Sequence, residues 1–251
     1  MSQTYDFMVA LARAYAPPPA RLLDFGCGGG EIVGLASAAG FDAFGVDTFE
    51  DMWDQYQAAA SGRGDRILRV SRGEPLPFEN DTFDLVVSNQ VFEHISDLAP
   101  VGSELARVLR PGGVLIAIFP TQEILIEPHL KAPLVHWFTP GSAPQRTALH
   151  VSHALKLCNR PNQERQSWVN EEQYNLQKHI FYRTAAAAID VLNPWFDLWA
   201  RDEAAFLRHR LALHPRLTKA AQLPRMLDPL LAQATLRLAN AVLIFRCRAG
   251  V

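Results

Sequence analysis

Residues 22–36 constrain the fold of this chain most. A short apolar run, Leu22-Leu23, leads into Asp24-Phe25-Gly26-Cys27-Gly28-Gly29-Gly30, and an apolar-periodic segment (Ile32, Val33, Leu35, Ala36) follows. That order predicts a buried strand, a glycine turn and the start of a helix. Glycine at 26, 28 and 30 allows positive φ and lets a ligand approach main-chain N–H groups with no Cβ in the way. A phosphate-binding P-loop would end on Gly-Lys-Ser/Thr, and the dinucleotide fingerprint would need glycine where the chain has Glu31 or Val33. Both nucleotide-phosphate readings weaken. The remaining readings are a different ligand or a glycine-rich turn that holds none.

One strand later, Phe41-Asp42-Ala43-Phe44-Gly45-Val46-Asp47 is a second apolar run ending in a carboxylate. Nucleotide-binding α/β folds place a ribose-binding acid about 20 residues beyond the turn. One carboxylate accepts from both hydroxyls of a cis-diol, which favours Asp or Glu there. An acid after a strand is also an ordinary helix N-cap, a role open to Thr48 as well. Beside the glycine turn, Asp47 reads as a ligand contact.

Two further blocks follow in order. Gly73–Ile95 holds Leu76-Pro77-Phe78, Phe83-Asp84-Leu85-Val86 and Glu93-His94; Leu105–Gly113 reads as a helix ending in Pro-Gly-Gly, with Val114-Leu115-Ile116 after it. Together with D-x-G-x-G-x-G at 24–30, these blocks resemble the class I S-adenosylmethionine (SAM)-dependent methyltransferases of the small-molecule type, in which DFGCGGG is motif I. The resemblance spans about residues 20–120 and implies SAM as cofactor. It places the zwitterionic SAM tail on Asp24, Gly26, Gly28 and Gly30, the ribose on Asp47, and Asn89 and Gln90 beside the cofactor after the fourth strand. One position departs from the family, which carries an acid four residues before the Leu-Pro-Phe leucine to accept from the adenine amino group. Here that position is Arg72, and Glu74 is the expected substitute.

Composition bounds the partners. With 251 residues, 49% hydrophobic, and a net charge of −2, the chain can bury a substantial core. No basic-then-apolar leader opens the sequence and no apolar run approaches membrane-spanning length, so no transmembrane segment and a cytoplasmic location are expected. Three cysteines, Cys27, Cys158 and Cys247, lack C-x-x-C spacing, which predicts reduced structural thiols. Charge is uneven: residues 1–120 carry 8 Lys/Arg against 16 Asp/Glu, and residues 196–251 carry 9 against 4. Arg201, Arg208, Arg210, Arg216, Lys219 and Arg225 are candidates to face an anionic acceptor, the plainer reading being a solvated helix face. Nucleic acid is not expected, because Asn89-Gln90-Val91-Phe92 lacks the Asn/Asp-Pro-Pro-aromatic sequence typical of methyltransferases acting on base amino groups.

A helix is predicted over 4–16, ending before Pro17-Pro18-Pro19, with strands near 21–25, 42–46, 67–70, 83–88 and 113–119 and helices between them. Alternation of this kind implies right-handed βαβ units and a parallel sheet, with ligand beyond the strands' carboxyl ends. Tyr174–Leu192 reads as one helix, Trp195–Ala200 as a short strand and Ala241–Cys247 as the last strand. The expected architecture is α/β: a Rossmann-like, seven-stranded, mostly parallel sheet with helices on both faces and a helical cap. One domain over 1–251 is expected, with residues 121–170 as an acceptor-side lid and 203–237 as a helical insertion before the last strand.

Methyl transfer from SAM is an in-line displacement that needs positioning and exclusion of water, with no metal or covalent nucleophile. A hydroxyl acceptor needs a general base, for which histidine suits neutral pH. His129 and His136, in the lid after the fifth strand, are the favoured candidates, ahead of His94, His150, His153, Glu123 and Glu127. His94 has a structural reading. His150-x-x-His153 has metal-compatible spacing but no third ligand nearby, so no metal is expected. Trp137, Phe138, Trp168 and Tyr174 are candidate pocket walls or core. The function expected is methyl transfer to a small-molecule acceptor, at an oxygen of a sugar, lipid-linked or other metabolite. Glu93-His94 also resembles fatty-acid cyclopropane synthases, which methylate carbon. The alternative class is a SAM-binding regulatory or assembly subunit without catalysis, kept open by Arg72.

Overall fold

Leu22 and Leu23 alternate between the two faces of a central sheet, and that alternation repeats from strand to strand. A computed structural model describes residues 2–49 and 64–249. The strands are β1 (Arg21–Phe25), β2 (Asp42–Asp47), β3 (Ile67–Arg69), β4 (Phe83–Asn89), β5 (Leu109–Phe119), a small hairpin β6 (Ile126–Glu127) and β7 (Ala132–Pro133), then β8 (Phe196–Arg201) and β9 (Ala241–Cys247). Seven of them form one sheet in the order β3-β2-β1-β4-β5-β9-β8. Neighbours from β3 to β5 pair in parallel, and β9 runs antiparallel to both β5 and β8. The seven-stranded, mostly parallel sheet is therefore the expected one. The helix expected between the second and third strands lies outside the described residues.

Each face carries its own core. Leu23, Val86, Leu115 and Leu243 pack with Leu105 of α3 (Leu98–Val108) and Ala188 and Leu192 of α6 (Ala185–Leu192). Leu22, Val87, Ile116 and Ile244 pack with Met8 of α1 (Ser2–Tyr15), Val33 of α2 (Glu31–Ala38) and Phe206 of α7 (Glu203–Ala212). Strands buried on both faces read as continuous apolar runs such as Val114–Phe119, the pattern of a parallel sheet covered by helices on both sides.

Between β5 and α6 the chain leaves the sheet. The β6–β7 hairpin, α4 (Ala143–Ala154) and α5 (Arg165–Lys178) enclose a third cluster built on Leu130, Val135, Leu149, Trp168, Val169 and Leu176. Trp168 is central to it, with its indole N–H donating to Asn159 Oδ1 at 3.0 Å. The predicted single helix over Tyr174–Leu192 is instead two. α5 ends at Lys178, and Thr184 caps α6 by accepting from Ala187 N through its hydroxyl. The intervening residues are extended because they bind the β4 side of the sheet: Phe181 N–H donates to Glu93 O at 2.7 Å, and Arg183 donates to the carbonyls of Phe92, Ile95 and Ser96.

Before the last strand, α7 and α8 (Asp228–Leu238) pack on each other, and the Thr235 hydroxyl donates to Glu203 O at 3.0 Å. Two of the basic residues here are structural. Arg208 pairs with Asp228 and donates to the Ala221 and Leu223 carbonyls; Arg201 pairs with Glu203 at 2.8 Å. This insertion meets the segment after β5 where Leu125 N–H donates to Arg237 O at 2.8 Å.

Candidate active site

The glycine turn joins β1 to α2 and is tied to β2. Gly26 N–H and Cys27 N–H both donate to Val46 O, at 2.8 and 3.0 Å. Gly26, Gly28 and Gly30 all have positive φ (80°, 49° and 78°), and a Cβ on Gly26 would stand 2.2 Å from Val91 Cγ2. Gly30 is the N-cap of α2, so the turn ends at a helix N-terminus, an electropositive end suited to a carboxylate. Asp47 at the end of β2 faces this turn. Its Oδ2 accepts from Gly28 N–H at 2.8 Å and its Oδ1 from Phe49 N–H at 2.9 Å, so it holds the loop's shape with lone pairs to spare. Cys27 is buried beneath the turn, and burial with the nearby Asp24 and Asp47 charges pushes its thiol up, which leaves it inert. All three cysteines are free thiols.

Polar atoms without partners gather along the carboxyl edge of the sheet. Asp24 Oδ1, Ser88 Oγ, Asn89 Oδ1, Thr121 Oγ1 and both carboxylate oxygens of Glu93 are buried with no hydrogen-bond partner among the described residues. Burial, with Asp47 and Glu31 adding negative charge, pushes Asp24 up to about 8. Leaving such groups unpaired costs free energy, and here they belong to β1, β4 and the turns after β4 and β5, where a ligand of an α/β sheet sits. Gln90, next to Asn89, holds a positive φ of 59° and donates its N–H to Ile118 O at 2.8 Å. SAM fits this edge. The Asp24 carboxylate suits an ammonium, and the α2 N-terminus suits a carboxylate.

Glu74 and Arg72 are both exposed, on the stretch between β3 and β4. That stretch is pinned from α3: Leu76 N–H donates to Glu104 Oε1 at 2.6 Å, while Arg107 pairs with Glu104 and donates to the Leu76 and Phe78 carbonyls. Arg107 and Glu104 were not singled out by sequence, although the Glu-x-x-Arg spacing on one helix face signals such a pair.

On the other side, residues from three stretches meet. His129 Nδ1 donates to Glu127 Oε1 at 2.7 Å, and Glu127 also accepts from Tyr182 OH at 2.5 Å and Leu130 N–H at 2.5 Å. Burial works against the His129 cation, but the Glu127 hydrogen bond and charge outweigh it and hold the imidazole above the ordinary histidine value; Glu127 is held below the usual carboxylate range in spite of its burial. His94 Nδ1 donates to His179 O at 2.9 Å, and its ring lies edge-on to His129 with centroids 5.5 Å apart. Burial lowers His94 and, in the opposite sense for an acid, pushes neighbouring Glu93 up to about 8.

His136 is buried in the turn after β7. Its Nε2 donates to Ile124 O at 3.0 Å, a carbonyl that also accepts from Trp137 Nε1 at 2.9 Å. A carbonyl only accepts, so the Nδ1 of a neutral His136 carries the lone pair, and it has no hydrogen-bond partner among the described residues. Burial keeps this imidazole below the usual histidine range, hence neutral at pH 7. His136 lines a cavity of about 400 Å³ together with Gln122, Tyr182 and Arg183. Trp137, Phe138, Trp168 and Tyr174 are not among the residues lining it. His153 donates from Nε2 to Gln163 O at 3.0 Å and packs on Trp168, and is therefore structural.

Comparison with known proteins meets this geometry. Residues 23–117 match the family described as Methyltransferase domain. The chain is 37% identical over 112 residues to a malonyl-[acyl-carrier protein] O-methyltransferase of Methylococcus capsulatus, covering 44% of this chain and 41% of that one. Over 96 residues it is 34% identical to a ubiquinone biosynthesis O-methyltransferase of Sinorhizobium medicae, covering 38% and 39%. The chain thus spans about two fifths of the length of the curated relatives it matches. Among solved structures, it is similar to an S-adenosylmethionine-dependent methyltransferase from Mesorhizobium loti, with a TM-score of 0.57 at 20% identity over 96% of this chain and 99% of that one. The match over residues 23–117 is thus to a methyltransferase domain, in a chain whose fold is similar to that of a SAM-dependent methyltransferase. Among the described residues, no helix is long and apolar enough to cross a membrane.

Proposed function

We propose that the chain transfers a methyl group from SAM to an oxygen of a small-molecule acceptor, a sugar, lipid-linked compound or other metabolite. The unpartnered buried polar atoms of Asp24, Ser88, Asn89 and Thr121 carry this reading, since they call for a polar ligand along the sheet edge of a chain whose residues 23–117 match a methyltransferase domain. The two curated relatives described above are both O-methyltransferases, which favours oxygen. SAM supplies an activated methyl group on a sulfonium, so that a C–O bond forms as the C–S bond breaks and the electron pair stays on sulfur.

The chain's own residues position and deprotonate. Asp24 and the α2 N-terminus orient the cofactor's amino-acid end, and Asp47 takes the ribose beside the loop it already holds. Asn89 and Gln90 meet the cofactor's reactive end, and Glu74 or a carbonyl of its loop meets the adenine. The acceptor enters the cavity walled by Gln122, His136, Tyr182 and Arg183, and the segment 121–170 acts as its lid. His136 Nδ1 takes the hydroxyl proton, because its imidazole is neutral, fixed in one tautomer and part of the cavity wall. His129 is committed to Glu127.

Isothermal titration of the protein with SAM and S-adenosylhomocysteine, beside acceptor-dependent S-adenosylhomocysteine release, tests the reading. Binding and turnover are both expected. Absence of heat with either ligand would sink it, whereas SAM binding without turnover on any acceptor would mark a regulatory SAM-binding subunit.

A further inference from the structure

Glu93, His94 and His129 have no part in the cofactor contacts or the proton transfer assigned above, yet these three converge. One carboxylate oxygen and one nitrogen from each imidazole all lie within 4.8 Å of one another, and His94 Nε2 is 4.0 Å from Glu93 Oε1. The Glu93 side chain is fully buried, and neither of its oxygens has a hydrogen-bond partner among the described residues. A carboxylate desolvated this far and left unpaired is costly unless a cation meets it.

The imidazoles are oriented from behind. His94 Nδ1 donates to the His179 carbonyl, which leaves the lone pair on Nε2. His129 Nδ1 donates to Glu127, which is fixed in turn by Tyr182 OH and Leu130 N–H, leaving His129 Nε2 for another partner. A carbonyl or carboxylate behind each imidazole is the arrangement that sets tautomer and basicity in metal-binding histidines. Both rings are also part-exposed, 41% for His94 and 38% for His129, which gives an ion a way in.

We propose that Glu93, His94 and His129 bind one divalent transition-metal cation of the zinc class, with one carboxylate and two imidazoles as protein ligands and the remaining positions open. Two nitrogens and one oxygen suit zinc, cobalt or iron over calcium or magnesium, which favour all-oxygen shells. Tetrahedral ligation at about 2.1 Å sets ligand–ligand edges of about 3.4 Å, within reach through side-chain shifts of about 1 Å or less. An open position is what separates a reactive site from a closed structural one. Resting on the methyl-transfer reading, that position serves the acceptor oxygen, lowering the pKa of its hydroxyl as bound zinc does for water.

Cobalt titration of the chelator-treated full chain reads the site directly through visible d–d absorption. One equivalent is expected to bind, with bands that one equivalent of zinc abolishes. Glu93→Gln, His94→Ala and His129→Ala are each expected to weaken cobalt by 100-fold or more, while His150→Ala leaves it unchanged. SAM affinity measured on the same variants reports that the domain is folded. Wild-type protein that takes up no stoichiometric cobalt overturns the proposal, as does cobalt binding unaffected in all three ligand variants. Cobalt bound at one equivalent by a protein that never releases S-adenosylhomocysteine supports the cation site and rejects the methyl-transfer reading, so the two fail separately.

Discussion

The two ends of the site are built on different scales of chain. At the cofactor edge, seven consecutive residues, Asp24–Gly30, supply a carboxylate, a positive-φ turn and a helix N-terminus. At the acceptor wall the contacts join distant stretches: His94 and His179 are 85 residues apart, and Glu127 and Tyr182 are 55 apart. The first is fixed by local backbone geometry and tolerates little change. The second depends on how the segment after β5 folds back onto the turn after β4, and its chemistry resides in side-chain pairs that no local pattern encodes. A fold of this kind keeps the first part and varies the second to change acceptors.

The largest effect is expected where the local geometry is tightest. Gly28 has φ 49° and its N–H is bound to Asp47, so Gly28→Val adds a β-branched side chain in a left-handed conformation at the face proposed for the cofactor tail. SAM binding is expected to weaken by about 10³-fold or more, equivalent to about 4 kcal/mol. Isothermal titration checks it, and SAM affinity within tenfold of wild type would place the cofactor elsewhere.

The acceptor wall should separate chemistry from cofactor binding. His136→Gln is expected to leave SAM affinity within about 0.5 kcal/mol, the usual range for a change remote from a contact. Turnover on the true acceptor should fall by about 10²-fold, as loss of a general base predicts. Paired SAM titration and S-adenosylhomocysteine release measure both quantities. Unchanged turnover would remove His136 as the proton acceptor and blur the contrast between the two ends.

That contrast also explains what the sequence made legible. The strand–turn–helix at 22–36, the acid closing β2 and the Pro-Gly-Gly before the core of β5 are local signals, and the sheet they imply is the one observed. The break at His179–Thr184 was not legible, because Tyr174 to Leu192 has ordinary helix propensity and only the long-range bonds to the Phe92, Glu93 and Ile95 carbonyls pull the chain extended. The Glu127–His129–Tyr182 set was half visible. His129 and Glu127 both stand out in the sequence as candidate bases after the fifth strand, but nothing local pairs the two or connects either to Tyr182. Of the metal-compatible spacing that the sequence does show, His150-x-x-His153, the second histidine is taken up by packing on Trp168, whereas Glu93, His94 and His129 meet only in three dimensions.

The smallest expected effect tests the cofactor edge through pH. Asp24 rises from an ordinary 3.8 to about 8, first through burial and then through the Asp47 and Glu31 charges. Between these values the folded chain holds a proton that the unfolded chain has released, so the contribution of Asp24 to stability is fully present below about pH 4 and is lost as pH rises towards 8. Asp24→Asn removes the buried acid and is expected to stabilise the free protein by about 0.5–2 kcal/mol at pH 8, with the gain vanishing near pH 4. SAM should act in the opposite direction. If its ammonium meets Asp24, binding favours the carboxylate, releases a proton below about pH 8 and strengthens as pH rises, so the same substitution stabilises the free protein while weakening the complex. Thermal melts from pH 5 to 9, with and without SAM, measure both signs on one pair of proteins. An identical pH slope in wild type and Asp24→Asn would mean that Asp24 does not titrate in this range. A variant that binds SAM as tightly as wild type would detach Asp24 from the cofactor and leave the glycine turn alone to hold its tail.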